Sequence, residues 1–187
     1  GAGMSGTGTV DRGGAGGHRE LEIRPCDPDE RAEILRVVNE AAVAYRGVIP
    51  EDRWREPYMP GEELDREIEE GVAFHGAWAG DRLVGVMGIQ PVDEVALIRH
   101  AYVRPAWQGR GVGTRLLERL RAEGSRPLLV GTWAAAEWAV AFYEARGFRR
   151  IPGEEGARVL RRYWSIPERQ VETSVVLADA AWWEGRA

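Results

Sequence analysis

A chain of 187 residues, 44% of them hydrophobic, can bury one sizeable core and is too short for two ordinary domains. Its formal charge of −5 leaves no basic stripe on which nucleic acid would be held, so DNA and RNA are not expected as partners. One cysteine and three histidines rule out an intramolecular disulfide framework and argue against a structural metal site.

No run approaches the roughly twenty apolar residues that cross a bilayer, and the first residues lack the apolar stretch of an export signal. A cytoplasmic protein without a membrane partner is the expectation. Eight of the first 17 residues are glycine, and Gly-Ala-Gly ahead of Met4 reads as a cloning remnant. Residues 1–18 are too poor in apolar side chains to order themselves and are expected to form a disordered tag and tail, leaving 19–187 as a single domain.

Along that domain, Leu21 and Ile23 alternate with polar residues as in a strand. Asp27-Pro28-Asp29-Glu30 supplies a helix cap, a proline at the first helical position and an acid three residues after the cap. Ile34, Val38, Ala41 and Tyr45 then recur at helical spacing. Residues 46–61, with three prolines and two glycines, read as a loop, and residues 62–70 as a short acidic helix. Strand periodicity returns at 73–78, Gly80-Asp81 turns the chain, and 83–89 completes a hairpin.

Residues 95–103 form a further strand, ended by Pro105. Val112, Leu116, Leu117 and Leu120 then mark an amphipathic helix closed by Gly124. A short buried strand is expected at 127–130. A helix follows at 137–146, with Gly147 placed for a left-handed cap, and Phe148 starts another strand. Residues 154–168 hold a helix or ordered loop, and 173–177 a last strand before a tryptophan-rich tail.

Between the strand at 95–103 and its helix lies Gln108-Gly109-Arg110-Gly111-Val112-Gly113-Thr114. Alternate glycines there let the backbone turn tightly and approach a ligand closely, while the free amides of a helix start point at an anion. A phosphate fits that geometry, with Arg110, Arg115 and Arg104 as nearby cations; a bare tight turn is the competing reading. The dinucleotide fingerprint G-x-G-x-x-G fails, because its last position falls on Thr114 or Leu116, and no P-loop sequence is present.

What matches is Q-x-x-G-x-G at Gln108, Gly111 and Gly113, preceded by Ile98 to Pro105 and followed by the amphipathic helix. This block resembles motif A of the GNAT superfamily of acyl-CoA-dependent N-acyltransferases. Ala139-Val140-Ala141-Phe142-Tyr143-Glu144-Ala145-Arg146-Gly147-Phe148 resembles the family's motif B, in the family's order and separation. The resemblance spans residues 20 to about 178 and is specific from about 95 to 148.

It implies an α/β (α+β) GNAT fold: a mixed, mostly antiparallel sheet of about seven strands, splayed in the middle, with helices on both faces. It also implies acetyl-CoA as cosubstrate, without a metal. The amides from Arg110 to Thr114 would hold the pyrophosphate, in the segment Gln108, Gly109, Arg110, Gly111, Val112, Gly113, Thr114. The strand edge would pair with the pantetheine arm, chiefly through Val103, and a backbone N–H near Ala101 would polarise the thioester carbonyl.

Attack of an amine on a thioester needs a neutral nitrogen, stabilisation of the oxyanion and a proton for the departing thiolate. The resemblance makes Tyr143 the general acid, and a phenol of ordinary pKa about 10 stays protonated at neutral pH. For the base, His100 on a partly exposed strand titrates in the useful range, Glu94 would act through water, and His75 is a weaker candidate; a structural histidine, with a water chain or no dedicated base, is the competing reading. No base lies beside Cys26 in sequence, so covalent catalysis is not expected. Motif B often carries an asparagine three residues before the alanine matched by Ala139; this chain has Ala136, so a polar contact to the coenzyme arm is absent or made by other groups.

By the same resemblance, residues 45–58 and 152–170 shape the acceptor pocket. Tyr45, Trp54, Tyr58, Tyr163 and Trp164 are its candidate walls, and Glu51, Asp52 and Glu56 its candidate attractors of a cationic amine, against the plainer reading of solvated loop acids. Trp107 and Trp182-Trp183 cover either the core or a partner subunit in a homodimer. The expected function is N-acetyl transfer from acetyl-CoA to a small-molecule, peptide or protein amine. A non-catalytic acyl-CoA binding or sensing module is the alternative; a nucleotide-binding α/β protein is disfavoured by the failed fingerprints.

Overall fold

A computed structural model describes residues 20–186, so the expected tail at 1–18 lies outside the described residues. Seven strands form one sheet in the order β1-β2-β3-β4-β5-β7-β6. The strands are β1 (Leu21–Pro25), β2 (Ala73–Ala79), β3 (Arg82–Val92), β4 (Val95–Val103), β5 (Leu128–Trp133), β6 (Arg149–Arg150) and β7 (Ser174–Ala178). Among the described residues, the β4–β5 pairing is the only parallel one in the sheet.

The helices are α1 (Arg31–Ala42), α2 (Gly61–Glu69), α3 (Val112–Glu123), α4 (Glu137–Glu144), α5 (Gly153–Tyr163), α6 (Glu168–Glu172) and α7 (Ala180–Glu184). None is long and apolar enough to cross a membrane. Their apolar stripes bury both faces of the sheet, and all nine residues of β4 are buried as a result. On one face, Ile34, Val38 and Ala41 of α1 and Leu64 of α2 pack with Val95, Leu97 and Tyr102 of β4. On the other, Leu116, Leu117 and Leu120 of α3 and Phe142 and Tyr143 of α4 pack with Ala96, Ile98, Ala101 and Val103.

Several boundaries depart from the sequence pattern for local reasons. The turn after Asp27 is a 3-10 turn at Pro28–Glu30, closed by Glu30 N to Asp27 O at 2.9 Å, and the α-helix begins only at Arg31. The Glu30 carboxylate still caps the turn, accepting from Asp27 N at 2.7 Å. β5 runs on to Trp133 because Gly131 to Trp133 pair with Ser174 to Val176 of β7. Gly124 ends α3 at φ −107°, outside the left-handed region, whereas Gly147 adopts the expected φ of 89°. The tryptophan-rich tail folds into α7, started by Asp179 accepting from Trp182 N at 3.1 Å, and Trp182 joins the core.

β4 and β5 pair only over Ala96–Ile98 and Leu128–Val130. Beyond that point no pairing joins the two strands, which leaves a gap in the sheet between them.

Candidate active site

On the α3 side of the gap, β4 ends at Val103 and a 3-10 turn at Pro105–Trp107 leads into the glycine loop. Gly109 and Gly111 have φ of 75° and 77°, where a side chain costs about 1 kcal/mol. The opening turn of α3 is closed by Arg115 N donating to Gly111 O at 3.1 Å, leaving the amides of Val112, Gly113 and Thr114 ahead of it at the positive end of the helix. A β-carbon on Gly111 would meet nothing within 4 Å, so the crest of the loop is open. Arg110 and Arg115 are exposed beside it, the Arg110 guanidinium lying 4.9 Å from the centre of the Trp107 ring. Open amides and two exposed cations fit a diphosphate.

The neighbouring side chains are structural. Gln108 Nε2 donates to Val103 O at 3.3 Å, folding the loop back onto the end of β4. Thr114 Oγ1 accepts from Arg146 Nε and Nη2 at 3.0 and 2.8 Å, which ties the start of α3 to the end of α4. Arg104, expected near the phosphates, is buried toward the opposite face instead. It donates to Leu83 O at 2.7 Å and pairs with Glu33, at 3.6 Å, and Glu40 of α1, so its charge is occupied.

Tyr143 is fully buried, edge-on to Phe142 and Phe148 with ring centres 5.1 and 5.4 Å away. Tyr45 approaches from the α1 face. Burial pushes its phenol well above the usual range, and the phenols of Tyr143 and Tyr58 add to that push, so the groups on opposite faces are close enough to interact electrostatically. Tyr45 stands edge-on to Tyr102, and Tyr102 to Tyr58, at 6.1 and 6.3 Å. A row of phenols therefore links α4 to the far side of the sheet.

There a cavity of about 380 Å³ opens between the loop after α1, α2, the end of β5 and the segment leading into α6. Trp54, Tyr58 and Trp133 form aromatic walls, and Glu63, His100 and Gln170 are its buried polar groups. His100 lies at a bulge: between the pairs Gly88–Arg99 and Val86–Tyr102, Met87 alone opposes both His100 and Ala101. Its φ of 53° is left-handed, a conformation that costs a non-glycine residue about 1 kcal/mol or more. Strand side chains normally alternate between faces, but here Arg99 and His100 both turn to Glu67 of α2. His100 Nε2 is 2.6 Å from Glu67 Oε2, and Arg99 pairs with Glu67 Oε1.

Both segments expected to shape an acceptor pocket contribute to this cavity, with several changes of residue. Trp54 and Tyr58 line it; Tyr45 is buried against Tyr102 and Trp138, Trp164 is buried in the core, and Tyr163 faces elsewhere, donating to Glu94. Glu94 is thereby held outside the cavity, where the Tyr163 hydroxyl, with Arg162 at 3.2 Å, keeps its carboxyl below the ordinary range. His75 is also elsewhere, its Nε2 2.6 Å from Glu123 Oε2 of α3. His100 is buried, correcting the expectation of a partly exposed strand histidine.

The acids that line the cavity do not leave a free negative charge for a cationic amine, and Glu51 is not among its lining residues. Asp52 pairs with Arg169 at 3.3 Å, Glu56 with Arg46 at 3.5 Å outside the cavity, and Glu63 with Arg55. Arg53, by contrast, lines the cavity without an ion-pair partner among the described residues, and its buried Nε has no hydrogen-bond partner there. Glu67 and Arg53 were missed in the sequence. For Glu67 a signal existed: Glu63 and Glu67 share the inward stripe of α2 with Leu64, and acids on an apolar stripe are uncommon without a buried partner.

The comparisons with known proteins agree with this fold. PaiA N-acetyltransferase from Thermoplasma acidophilum, solved with coenzyme A, superposes with a TM-score of 0.64 at 19% identity, over 86% of this chain and 98% of that one. A GNAT family acetyltransferase from Brucella melitensis, solved with acetyl-CoA, gives 0.52 at 24% identity, over 71% and 84%. The ribosomal-protein-S18-alanine N-acetyltransferase from Escherichia coli gives 0.60 at 17% identity, over 86% and 93%. In sequence, 98 residues are 36% identical to the uncharacterized protein ML0378 of Mycobacterium leprae (strain TN); the match covers 49% of this chain and 27% of that protein's length. The acetyltransferase (GNAT) domain model matches residues 34–159, more than half of the chain, and the chain belongs to the GNAT acetyltransferase family.

Proposed function

We propose that the chain transfers an acetyl group from acetyl-CoA directly to an amine, with both substrates bound at once. The observation that supports this is the open, amide-rich loop on one face of the sheet and the aromatic-walled cavity on the other, both beside the β4–β5 gap. Bound at the loop, the coenzyme supplies an acetyl thioester. The amides from Arg110 to Thr114, with Arg110 and Arg115, would hold its diphosphate, and the edge of β4 up to Val103 would align its arm.

The N–H of Ala101, beside the bulge, would meet the charge that develops on the thioester oxygen. His100 would take a proton from the acceptor's ammonium, freeing the lone pair that forms the new C–N bond. Tyr143 would give a proton to the sulfur as the C–S bond breaks. Because Arg53 is the cation of the cavity without an ion-pair partner among the described residues, the acceptor is an amine that also carries an anionic group, in preference to a polyamine.

The test is thiol release from acetyl-CoA against polyamines, aminoglycosides, amino acids and N-terminal peptides, with product masses and calorimetric binding of acetyl-CoA. Saturable release with one amine class, and a product heavier by one acetyl group, is expected. Tight binding without release would identify an acyl-CoA binding or sensing module, and absence of binding would overturn the reading altogether.

A further inference from the structure

The bulge in β4 is where the strand's alternation breaks, and it does so to bring two adjacent side chains onto one carboxylate. We infer that Glu67 is a positioning residue for proton transfer at the acceptor amine: it fixes the His100 imidazole with its hydrogen on Nε2 and its lone pair on Nδ1, toward the acceptor. The inference rests on the reading of His100 as the base.

The chemistry follows from what each group can donate. An arginine only donates, so Glu67 Oε1 accepts from Arg99, which is itself held from β3 by donating to Gln90 Oε1 at 2.8 Å. An ionised carboxylate only accepts, so its Oε2, 2.6 Å from Nε2, receives the ring hydrogen. Nδ1 is then the basic nitrogen of the neutral ring. It is buried without a hydrogen-bond partner among the described residues, on a side chain that lines the cavity. Phe74 lies nearly parallel to the ring, with centres 6.1 Å apart and planes at 24°, which restricts rotation.

When Nδ1 takes a proton from the ammonium, the N–H bonding pair stays on the amine nitrogen and the imidazolium faces the Glu67 carboxylate. The charged and titratable groups around the ring and its cavity are Glu67 and Glu63 from α2, Arg99 from β4, and Asp52, Arg53, Arg55 and Tyr58 from the loop after α1; Phe74 of β2 and Gln90 of β3 are neutral.

Nitrogen NMR of the unliganded, labelled protein reads the tautomer without any turnover, with His100→Asn identifying the signal among three histidines. The hydrogen is expected on Nε2; finding it on Nδ1 overturns the inference. In kinetics, Glu67→Gln is expected to lower kcat/KM roughly 10- to 100-fold, leave acetyl-CoA affinity in place and move the acid limb of the kcat/KM profile to lower pH, since an anion beside the imidazole is lost. Glu67→Asp should restore much of the rate and return the limb. A Glu67→Gln protein that loses thermal stability but keeps its limb would make Glu67 a mere anchor for α2 and overturn the inference; one that does not fold leaves the decision to the tautomer. Wild-type kcat/KM in His100→Asn would remove His100 as base and the role of Glu67 with it, while acetyl transfer itself would stand.

Discussion

The two faces of the sheet beside the β4–β5 gap are built on different principles. On the α3 face the candidate coenzyme site is a single short run of main chain, in which left-handed glycines at 109 and 111 expose the amides of a helix start. On the α1 and α2 face the candidate acceptor site is an assembly of side chains from the loop after α1, from α2, from the bulge of β4, from the end of β5 and from the segment leading into α6. A main-chain site depends on conformation and tolerates most side chains that point away; a side-chain site depends on the identity and partners of each group. The first face should therefore fail through backbone and charge at one loop, and the second through single polar atoms.

The largest effect is expected from Gly111→Asp. The site has room for a β-carbon, so the substitution acts through the φ of 77° and through a negative charge set against the diphosphate. Acetyl-CoA affinity should fall about 100-fold or more by calorimetry, whereas Gly111→Asn, which tolerates the left-handed conformation without the charge, should stay within about 10-fold. Equal losses in the two variants would mean that shape alone governs the loop, and unchanged binding in both would remove the loop from the coenzyme site.

Tyr143→Phe comes next, because it removes one hydroxyl at the place where the faces meet and keeps the edge-on contacts with Phe142 and Phe148. Rapid-quench and steady-state assays should give a kcat about 100-fold lower with coenzyme affinity unchanged, as expected for loss of a general acid. A wild-type kcat would leave Tyr143 as packing, and the transfer would need another proton donor.

The same contrast explains what the sequence reveals. The glycine loop and the helix from 112 to 123 are legible because each is contiguous, and contiguous residues are what a motif records. The ends of elements are less so: β5 gained Gly131 to Trp133 through pairing with β7, a partner about forty residues away. His100 appears in the sequence as a strand histidine, yet its burial and its direction depend on a two-for-one register against Met87. Glu67 stands on the apolar stripe of an acidic helix, which hints at a buried partner, but only the tertiary fold identifies Arg99 and His100 as that partner. Arg104 shows the reverse error: near the loop in sequence, it is drawn through to Glu33 and Glu40.

A smaller effect is expected at the cavity. Arg53→Gln should raise KM about 10-fold for an amine that carries an anion, leave kcat in place and leave KM for a neutral amine unaltered, a difference of about 1.4 kcal/mol in binding. Arg53→Lys should recover part of the loss, since the charge remains and the fork geometry does not. An equal rise for both amines would show that the arginine shapes the cavity and does not select its occupant.

The smallest effect concerns Cys26, and it bears on whether the two faces communicate directly. Burial, with the charge of Glu30 added, pushes its thiol up to about 12. At pH 8 only about one molecule in 10,000 would carry the thiolate, the form that reacts, so iodoacetamide should label the folded protein far more slowly than the denatured chain. The labelling rate should climb about tenfold per pH unit until the fold gives way. In the same shift the folded state holds the thiol proton more tightly than the unfolded chain. That contribution to stability is complete below the ordinary thiol range near 8.5 and is lost as pH rises toward about 12. Cys26→Ala should keep acetyl transfer within about twofold of the parent, because no covalent stop lies between the faces. Rapid labelling at pH 8 with a parallel loss of turnover would bring a thiol intermediate back, and direct transfer across the gap would have to be abandoned.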